Sequence, residues 1–405
     1  MLNTPFIRDK FPALQRIYNS YPMIFLDGPG GTQVPVDVIN AVSGYYTTSN
    51  SNTHGEFITT RETDSILQQA REATATLLGA EGAHTISFGQ NMTTLNFSLA
   101  HGIGRVLQPG DEVLITQLDH EGNRGPWLVL RERGIIVREI CMNQDGTLDY
   151  DDLEEKINER TRLVAMGMAS NALGTVNNVQ LARKLTHRYN AWLMVDAVAY
   201  APHFSIDVQQ LGCDFLLCSA YKFYGPHAGI LYSKPGLLNS IRADRLRTAD
   251  QQAPFCIETG TLNHAAIAGV TAAVHFIAAQ GAGANLRESL IDAYRQLGEH
   301  EHALAVQLYN GLKQMKGVDM VGQDFSSRHR SPTVSFTVEG KTAQQVCAHL
   351  ATKNICAWDG HFYAIRAIQV LGLLEKGGLT RMGMSIYNTA EEIDITLSHL
   401  QMILK

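Results

Sequence analysis

The chain has 405 residues, of which 45% are hydrophobic and 18% are charged, and its formal net charge is -6. This composition predicts a soluble globular protein that is long enough for two or more domains. The 33 basic and 39 acidic residues are spread along the chain without a basic stripe, so we expect no nucleic acid as a partner.

The N-terminal segment carries Arg8, Asp9 and Lys10 where a secretory signal would need an apolar core. No apolar run approaches about 18 residues, so we expect no membrane span. The six cysteines form neither a CxxC pair nor a metal-type spacing with histidine, so we expect no metal. Together these features predict a cytoplasmic protein.

Short apolar runs alternate with amphipathic stretches from about residue 85 onwards. A first strand is predicted at 85 to 88, and a helix begins after it near Met92 and Thr93. Further buried strands are predicted at 112 to 117, 162 to 168, 192 to 197 and 214 to 219, with a helix over 178 to 190. Strands separated by helices predict a mostly parallel sheet that is covered on both faces.

The pattern changes after about residue 283. A long helical stretch from 285 to 315 leads into a strand at 333 to 338, a helix near 341 to 353 and a further strand and helix. We therefore predict an α/β fold with two domains. Their predicted bounds are 22–282 for the large domain and 283–405 for the smaller C-terminal α/β domain, with residues 1–21 packing on the smaller one.

Polar residues follow the predicted strands at the points where the strands end. They are His120, Asn171, Asp196, Ser219 and Lys222. Each has an ordinary structural explanation when taken alone, such as a strand terminus, a cap or a turn. In a parallel sheet, however, the carboxyl ends of the strands meet at one edge, where ligands bind. We therefore expect these side chains to converge on one site.

The combination of residue types matches the needs of pyridoxal phosphate. This cofactor requires an amine for a Schiff base, a carboxylate that keeps its pyridine nitrogen protonated, and donors for its phosphate. Lys222, Asp196 and Ser219 supply these functions. The helix that begins near Met92 and Thr93 adds a terminus that favours a phosphate.

Residues 26–394 resemble the class V aminotransferase group of fold-type I pyridoxal-phosphate enzymes, and within it the cysteine desulfurase-like proteins. The segment SAYKFYGPHAGILY is similar to the lysine motif of that group, which implies that Lys222 is the Schiff-base residue and Ser219 a phosphate ligand. The segment VDAVAYAPHFSIDVQQLGCDF resembles the aspartate motif, which makes Asp196 the partner of the pyridine nitrogen.

Other motifs extend the resemblance. LDHEGNRGPW resembles the segment whose histidine stacks on the cofactor ring, here His120, and ASNALGT the segment whose asparagine faces cofactor and substrate, here Asn171. Thr93, next to Met92, matches a phosphate-binding threonine. TRMGMSIYNTAEEID resembles the segment whose arginine binds the substrate carboxylate, here Arg381.

The resemblance also implies a homodimer with shared active sites. ETGTLN is similar to the segment that reaches the phosphate of the neighbouring subunit, here through Thr261. The polar stretch at 242 to 254 precedes it and favours a segment that extends outward. The alternative is that Thr261 caps the helix that begins near Asn263, because threonine is a good N-cap.

One loop departs from the desulfurase pattern. In those enzymes a mobile loop presents a cysteine that attacks the substrate sulfur, in a run similar to Gly-His-His-Cys. Here the run is Gly360, His361, Phe362 and Tyr363, and tyrosine cannot form a persulfide. Cys356 lies a few residues upstream on a predicted short strand, where we expect a core residue.

Two further positions also depart from the family. Tyr221 stands where desulfurases have histidine, and Ala199 stands where the family has a hydrogen-bonding residue that faces the cofactor oxygen. The residues therefore support the cofactor chemistry but not a sulfur transfer of the usual kind.

These observations indicate an enzyme that binds an α-amino acid, a small-molecule substrate, as an external aldimine, in a cysteine desulfurase-like or C–S lyase-like reaction. Arg381 would bind the carboxylate, and Lys222 would remove the Cα proton while Asp196 keeps the ring protonated. Two alternatives stay open. One is a class V aminotransferase, and the other is a cofactor-binding regulator or scaffold without turnover.

Overall fold

Two sheets organise the computed structural model, which describes residues 2–404. The strands are β1 (Ile17–Tyr18), β2 (Tyr21–Pro22), β3 (Ile24–Phe25), β4 (Ile86–Gly89), β5 (Glu112–Thr116), β6 (Ile136–Ile140), β7 (Thr161–Gly167), β8 (Trp192–Asp196), β9 (Phe215–Ser219), β10 (Gly229–Ser233), β11 (Val318–Val321), β12 (Thr333–Val338), β13 (Ile355–Cys356), β14 (Trp358–Gly360) and β15 (Leu379–Gly383).

The α-helices lie between and around these strands. They are α1 (Thr4–Asp9), α2 (Val36–Thr48), α3 (Ile58–Leu78), α4 (Met92–Gly104), α5 (Gly125–Leu128), α6 (Tyr150–Lys156), α7 (Val179–Arg188), α8 (Val208–Leu211), α9 (His264–Ala278), α10 (Leu286–Lys313), α11 (Ala343–Ala351), α12 (Ile365–Val370) and α13 (Ala390–Ile403). Within residues 2–404, no helix is both long enough and apolar enough to cross a bilayer.

The larger sheet has seven strands in the order β4-β10-β9-β8-β7-β5-β6. Strands β9, β8, β7, β5 and β6 pair in parallel, and β10 is antiparallel to both β4 and β9. All strands except β10 therefore point the same way. The prediction of a mostly parallel sheet is confirmed, and the carboxyl ends of six strands share one edge.

Both faces of this sheet are buried, because alternate residues of each central strand enter different apolar clusters. Val164 and Met166 of β7 pack into one cluster together with residues of α3, α7 and α9. Leu163 and Ala165 of the same strand pack into the other, which contains Leu99 of α4. This two-sided burial explains the nearly continuous apolar runs of the strands.

The second sheet has four antiparallel strands in the order β11-β12-β15-β14. It packs with α10, α11 and α13 around a third apolar cluster that includes Phe336 and Met382. Strand β3 from the N-terminal part of the chain pairs in parallel with β13 beside it. The Asp27 backbone forms a further bridge to Gly383, the last residue of β15.

The first twenty residues contact both parts of the molecule. Phe11 packs edge-on against Phe276 of α9 and Tyr387. Arg8 forms an ion pair with Glu392 of α13 at 2.8 Å. The division into domains at residue 282 stays a prediction.

Candidate active site

A cavity of about 320 Å3 lies at the carboxyl ends of the parallel strands. Two wider depressions of about 960 and 660 Å3 lie elsewhere on the surface. We place the candidate site in the smaller cavity, because polar groups of complementary chemistry converge there. Its lining includes Met92, Thr93, Asp119, His120, Asn171, Asp196, Ala199, Ser219, Tyr221 and Lys222.

Lys222 lies three residues after the end of β9, in the short 3-10 turn that follows the strand. Its Nζ donates a hydrogen bond to the carbonyl oxygen of Pro29. Burial and, to a smaller extent, the nearby charge of Arg381 lower the pKa of Lys222 to about 7, against the opposing effect of Asp196. A substantial fraction of the amine is therefore uncharged and nucleophilic near neutral pH.

Asp196 is the last residue of β8 and is 7% exposed. Its Oδ1 accepts a hydrogen bond of 2.9 Å from the backbone N–H of Val198. Burial, with a smaller contribution from the charge of Asp119, raises the pKa of this carboxyl to about 7. A buried carboxyl with so little compensation fits a cationic or N–H partner inside the cavity.

His120 follows β5, and its ring is held from one side by the backbone. Nδ1 accepts a hydrogen bond of 2.8 Å from the N–H of Gly122, and the ring centroid lies 5.4 Å from that of Tyr363. Burial lowers the pKa of His120 to about 4, and the charges of Lys222 and Arg381 act in the same direction. The imidazole is therefore neutral at physiological pH.

The N-terminus of α4 forms the opposite end of the cavity. The N–H of Met92, the first residue of the helix, donates to Ser219 Oγ at 2.9 Å. The side chain of Asn91 caps the helix by accepting from the N–H of Thr94, also at 2.9 Å. Thr93 lies in the cavity wall between these groups. Hydroxyls beside a helix N-terminus are suited to an anion.

The structure explains why glycine occupies position 229 of the lysine motif. A Cβ at this position would lie 2.4 Å from the carbonyl carbon of Asn91 and 2.8 Å from its Cα. Any side chain here would push β10 away from the first residues of α4. The glycine therefore allows the sheet to approach the N-terminus of α4 closely.

Arg381 lies on β15 of the second sheet, outside the immediate lining of the cavity. It is 4% exposed, and its Nη1 donates to the carbonyl oxygen of Asn171 at 2.8 Å. Burial lowers the pKa of Arg381 to about 9. Among the described residues its Nε and the Oδ1 of Asn171 are both buried without a hydrogen-bond partner, so one donor and one acceptor are available to a polar substrate.

Two carboxyls were missed in the sequence. Asp119 is buried and lines this cavity, whereas the half-buried Asp27 lies near Lys222 and Arg381 and lines the neighbouring cavity of Cys356. Burial raises the pKa of Asp27 to about 6, and its Oδ1 has no partner among the described residues. Asp119 accepts hydrogen bonds from Gly167 N–H at 2.9 Å and Asn123 Nδ2 at 2.8 Å, and thereby anchors the segment that carries His120. Its position directly before His120 was the only available signal.

Thr261 lies apart from the other predicted residues. It is exposed and lines the depression of about 660 Å3 rather than the cavity. The prediction that it caps a helix is wrong, because α9 is capped by Asn263, whose side chain accepts from the N–H of Ala266 at 3.0 Å.

The structure brings the loop at 360–364, but not Cys356, to the cavity. Tyr363 contacts His120, as described above, and Phe362 lies over Arg381. Cys356 is half-buried on β13 and lines a different cavity, and burial raises the pKa of its thiol to about 11. A thiol in this state is a poor nucleophile at neutral pH.

Comparison with known proteins extends these observations. The family model Aminotransferase class-V matches residues 24–396. A probable cysteine desulfurase of Halalkalibacterium halodurans is 31% identical, and the match covers 99% of this chain and 98% of that protein. A probable cysteine desulfurase of Mycolicibacterium paratuberculosis is 32% identical, but the match, which covers 98% of this chain, spans 58% of that longer relative.

A solved structure is similar over its full length. The crystal structure of the cysteine desulfurase CsdA (S-sulfonic acid) from Escherichia coli matches with a TM-score of 0.86 at 27% sequence identity. The match covers 100% of this chain and 99% of that chain.

Proposed function

The chain belongs to the class V aminotransferase family, and on this premise we propose that it is a pyridoxal-phosphate-dependent enzyme that cleaves a C–S bond in an α-amino acid, in a cysteine desulfurase-like or C–S lyase-like reaction. One observation carries the proposal: Lys222, Asp196, His120 and Ser219 line one cavity, and Arg381 contacts its wall.

The residues fit the cofactor. The buried Asp196 carboxyl, with a single backbone hydrogen bond, suits a protonated ring nitrogen. The neutral ring of His120 suits stacking on an aromatic face, and Ser219 and Thr93 at the start of α4 suit a phosphate. When bound, pyridoxal phosphate supplies an electron sink for charge that develops at Cα.

The chain's own groups supply binding and proton transfer. Arg381 binds the substrate carboxylate through two parallel N–H···O bonds, which fixes Cα relative to Lys222. The lowered pKa of Lys222 makes its Nζ available in the uncharged form, so it accepts the Cα proton. In the loaded enzyme, Asp196 would keep the ring nitrogen protonated, and His120 would support one face of the ring.

The loop decides which reaction follows. No cysteine lies among the described residues that line the cavity. Tyr363, which stands where the similar desulfurase motif has its loop cysteine, contacts His120 in the cavity wall. This lining favours β-elimination, which needs no protein thiol. The C–S bond breaks, the sulfur leaves as sulfide, and hydrolysis of the remaining three-carbon product leaves pyruvate and ammonia. A desulfurase-like reaction would instead leave alanine and a persulfide on an acceptor thiol.

The test uses the purified protein loaded with pyridoxal phosphate and a panel of sulfur-containing and ordinary L-amino acids. Sulfide and pyruvate in equal amounts support the lyase-like reaction, and stoichiometric alanine with a persulfide on Cys356 supports the desulfurase-like one. Turnover that requires a 2-oxo acid would identify the reaction as transamination and would contradict both the lyase-like and the desulfurase-like reaction. If no amino acid changes the absorbance of the bound cofactor, the protein is a scaffold and the proposal is wrong.

We also propose that the protein is a cytoplasmic homodimer with shared sites. All six cysteines are free thiols, which suits a reducing compartment. Thr261 is exposed and outside its own cavity, so a role at the phosphate requires the opposite subunit. The substrate is an amino acid, a small molecule rather than a macromolecule.

A further inference from the structure

We propose that Phe362 and Tyr363 form an aromatic cover that is latched over the substrate end of the cavity, and that Phe362 is a positioning residue for Arg381. The inference rests on the proposed function, because it concerns how the same site holds the carboxylate of an α-amino acid. It assigns a purpose to the loop that lacks the desulfurase cysteine.

The backbone of the aromatic cover is held in a conformation that these residue types rarely adopt. Phe362 has a φ of 53° and Tyr363 a φ of 60°. For bulky aromatic residues this left-handed conformation costs free energy, and it persists only where the surroundings enforce it. Two consecutive residues of this kind imply strong local constraints.

Two hydrogen bonds to the large sheet supply the constraint. Asn171 Nδ2 donates to the carbonyl oxygen of Phe362 at 2.7 Å, and the backbone N–H of Glu121 donates to the carbonyl oxygen of Tyr363 at 2.7 Å. The donors follow β7 and β5, whereas the loop follows β14 of the other sheet. These bonds therefore latch one sheet to the other across the mouth of the site.

The ring of Phe362 covers Arg381. Its centroid lies 4.1 Å from Arg381 Cζ, which is a close cation–π contact. The ring leaves free the planar edge of the guanidinium, where a carboxylate binds through two hydrogen bonds. The ring excludes water from one face of the guanidinium, so Phe362 strengthens the attraction of Arg381 for a carboxylate. It also fixes the plane of the guanidinium, and with it the plane in which the carboxylate binds.

Tyr363 forms the outer part of the aromatic cover. Its ring contacts His120, and it is 68% exposed, so its other side faces solvent. It therefore screens the edge of the cavity near His120. A cysteine at this position would leave that edge open to water.

The first test measures whether Phe362 acts through the carboxylate. L-Alanine and ethylamine differ by this group, and their dissociation constants are measured from the absorbance of the bound cofactor. In Phe362→Leu we expect the preference for L-alanine to fall by roughly 2- to 30-fold, while ethylamine binds as in the wild type. Phe6→Ala, which removes an exposed aromatic ring beside Lys10, is the control.

The outcomes separate this inference from the proposed function. If the wild type responds to L-alanine but Phe362→Leu keeps the full preference, or loses affinity for both compounds equally, Phe362 does not position Arg381 and the inference is wrong. If the wild type binds pyridoxal phosphate but responds to no amino acid, the proposed function fails and this inference fails with it.

The second test breaks the latch in the cofactor-free protein. Glu121→Pro removes the N–H that holds Tyr363, and the φ of -60° and ψ of 143° at His120 suit a residue before proline. Glu121→Ala keeps the N–H and is the matched control. We expect chymotrypsin to cleave after Phe362 or Tyr363 at least about tenfold faster in the proline variant, and at the wild-type rate in the alanine variant.

A second variant guards against misfolding. Asn171→Leu removes the other latch bond, and its cleavage rate is measured beside that of Glu121→Pro, with circular dichroism as the check on folding. Faster cleavage in either folded variant supports the latch. Wild-type rates in both, or equal acceleration in Glu121→Ala, overturn it.

Discussion

Two regions reach the same cavity from different sheets. One is the rim of the large sheet, by which we mean the residues at the carboxyl ends of its strands that line the cavity: His120, Asn171, Asp196, Ser219 and Lys222. The other is the loop at 360–364. The rim places each polar group at or just after the end of a buried strand, as with Asp196 at the end of β8. The loop instead follows β14, an edge strand, and Phe362 and Tyr363 depend on hydrogen bonds to the opposite sheet.

This difference separates the chemistry that the two regions serve. The rim offers the amine, carboxyl, imidazole and hydroxyls that suit a cofactor, and a rigid sheet holds them in place. The loop faces Arg381 and the substrate, and here the chain departs from the desulfurase pattern. A family can keep its cofactor site on strand ends and change its reaction by replacing one loop.

The largest expected effect tests the rim. In Lys222→Ala we expect complete loss of the borohydride-stable linkage to pyridoxal phosphate, because no other lysine lines the cavity among the described residues. Mass spectrometry after reduction measures the adduct. Lys234→Ala is the matched control, since Lys234 follows β10 of the same sheet but is exposed. A linkage that survives in Lys222→Ala contradicts the assignment.

Much of the rim was predictable from the sequence. In a parallel sheet the direction of the strands brings their carboxyl ends together, so local patterns located His120, Asn171, Asp196 and Ser219 without knowledge of the strand order. The strand at 333 to 338 was predicted with its observed bounds, because proline precedes this β-branched and aromatic run and a Glu-Gly pair follows it.

The remaining features depend on contacts between distant segments. Asp27 comes close to Lys222 and Arg381 because β3 pairs with β13, and no local pattern reports that pairing. Phe362 reaches Arg381 because β14 pairs with β15, and the latch to Asn171 crosses between sheets. The sequence showed that tyrosine replaces cysteine, but the conformation of the loop follows from tertiary structure.

A second prediction separates attachment of the cofactor from its use. Asp196→Ala should keep the linkage at Lys222, because the amine does not need the carboxyl to react. We expect turnover to fall by at least about 100-fold, the scale found when one positioned electrostatic group is removed from an active site. Product formation and the borohydride adduct are measured on the same preparation. Near-normal turnover would show that the carboxyl is structural.

A third prediction uses the raised pKa of Asp196, which is about 7 in the folded protein and near 3.8 in the unfolded chain. Between these values the folded state binds the proton more tightly, so the contribution of Asp196 to stability falls as pH rises from 4 to 7. In cofactor-free protein, the free energy of unfolding of Asp196→Asn should therefore rise relative to that of the wild type, by on the order of 2 to 4 kcal/mol between pH 4 and pH 7.

Urea unfolding at pH 4, 5, 6 and 7 measures this difference. Asp319→Asn, at an exposed position of β11, is the control and should show no such trend. A constant difference between Asp196→Asn and the wild type would mean that the carboxyl is already compensated in the folded protein.

The smallest expected effect concerns Thr261, which we propose reaches the cofactor site of the opposite subunit. Removal of one hydroxyl donor to a phosphate costs about 1.5 to 3 kcal/mol, so Thr261→Ala should weaken cofactor binding by roughly 10- to 150-fold.

A heterodimer of one Lys222→Ala chain and one Thr261→Ala chain distinguishes a shared site from a role of Thr261 within its own chain. If Thr261 acts across the interface, one site combines both substitutions and the other has wild-type affinity. If Thr261 acts within its own chain, the only site with a lysine is weakened, and a cofactor titration of the purified heterodimer then shows no tight site. That result, or an active monomer in sedimentation, contradicts the shared-site proposal.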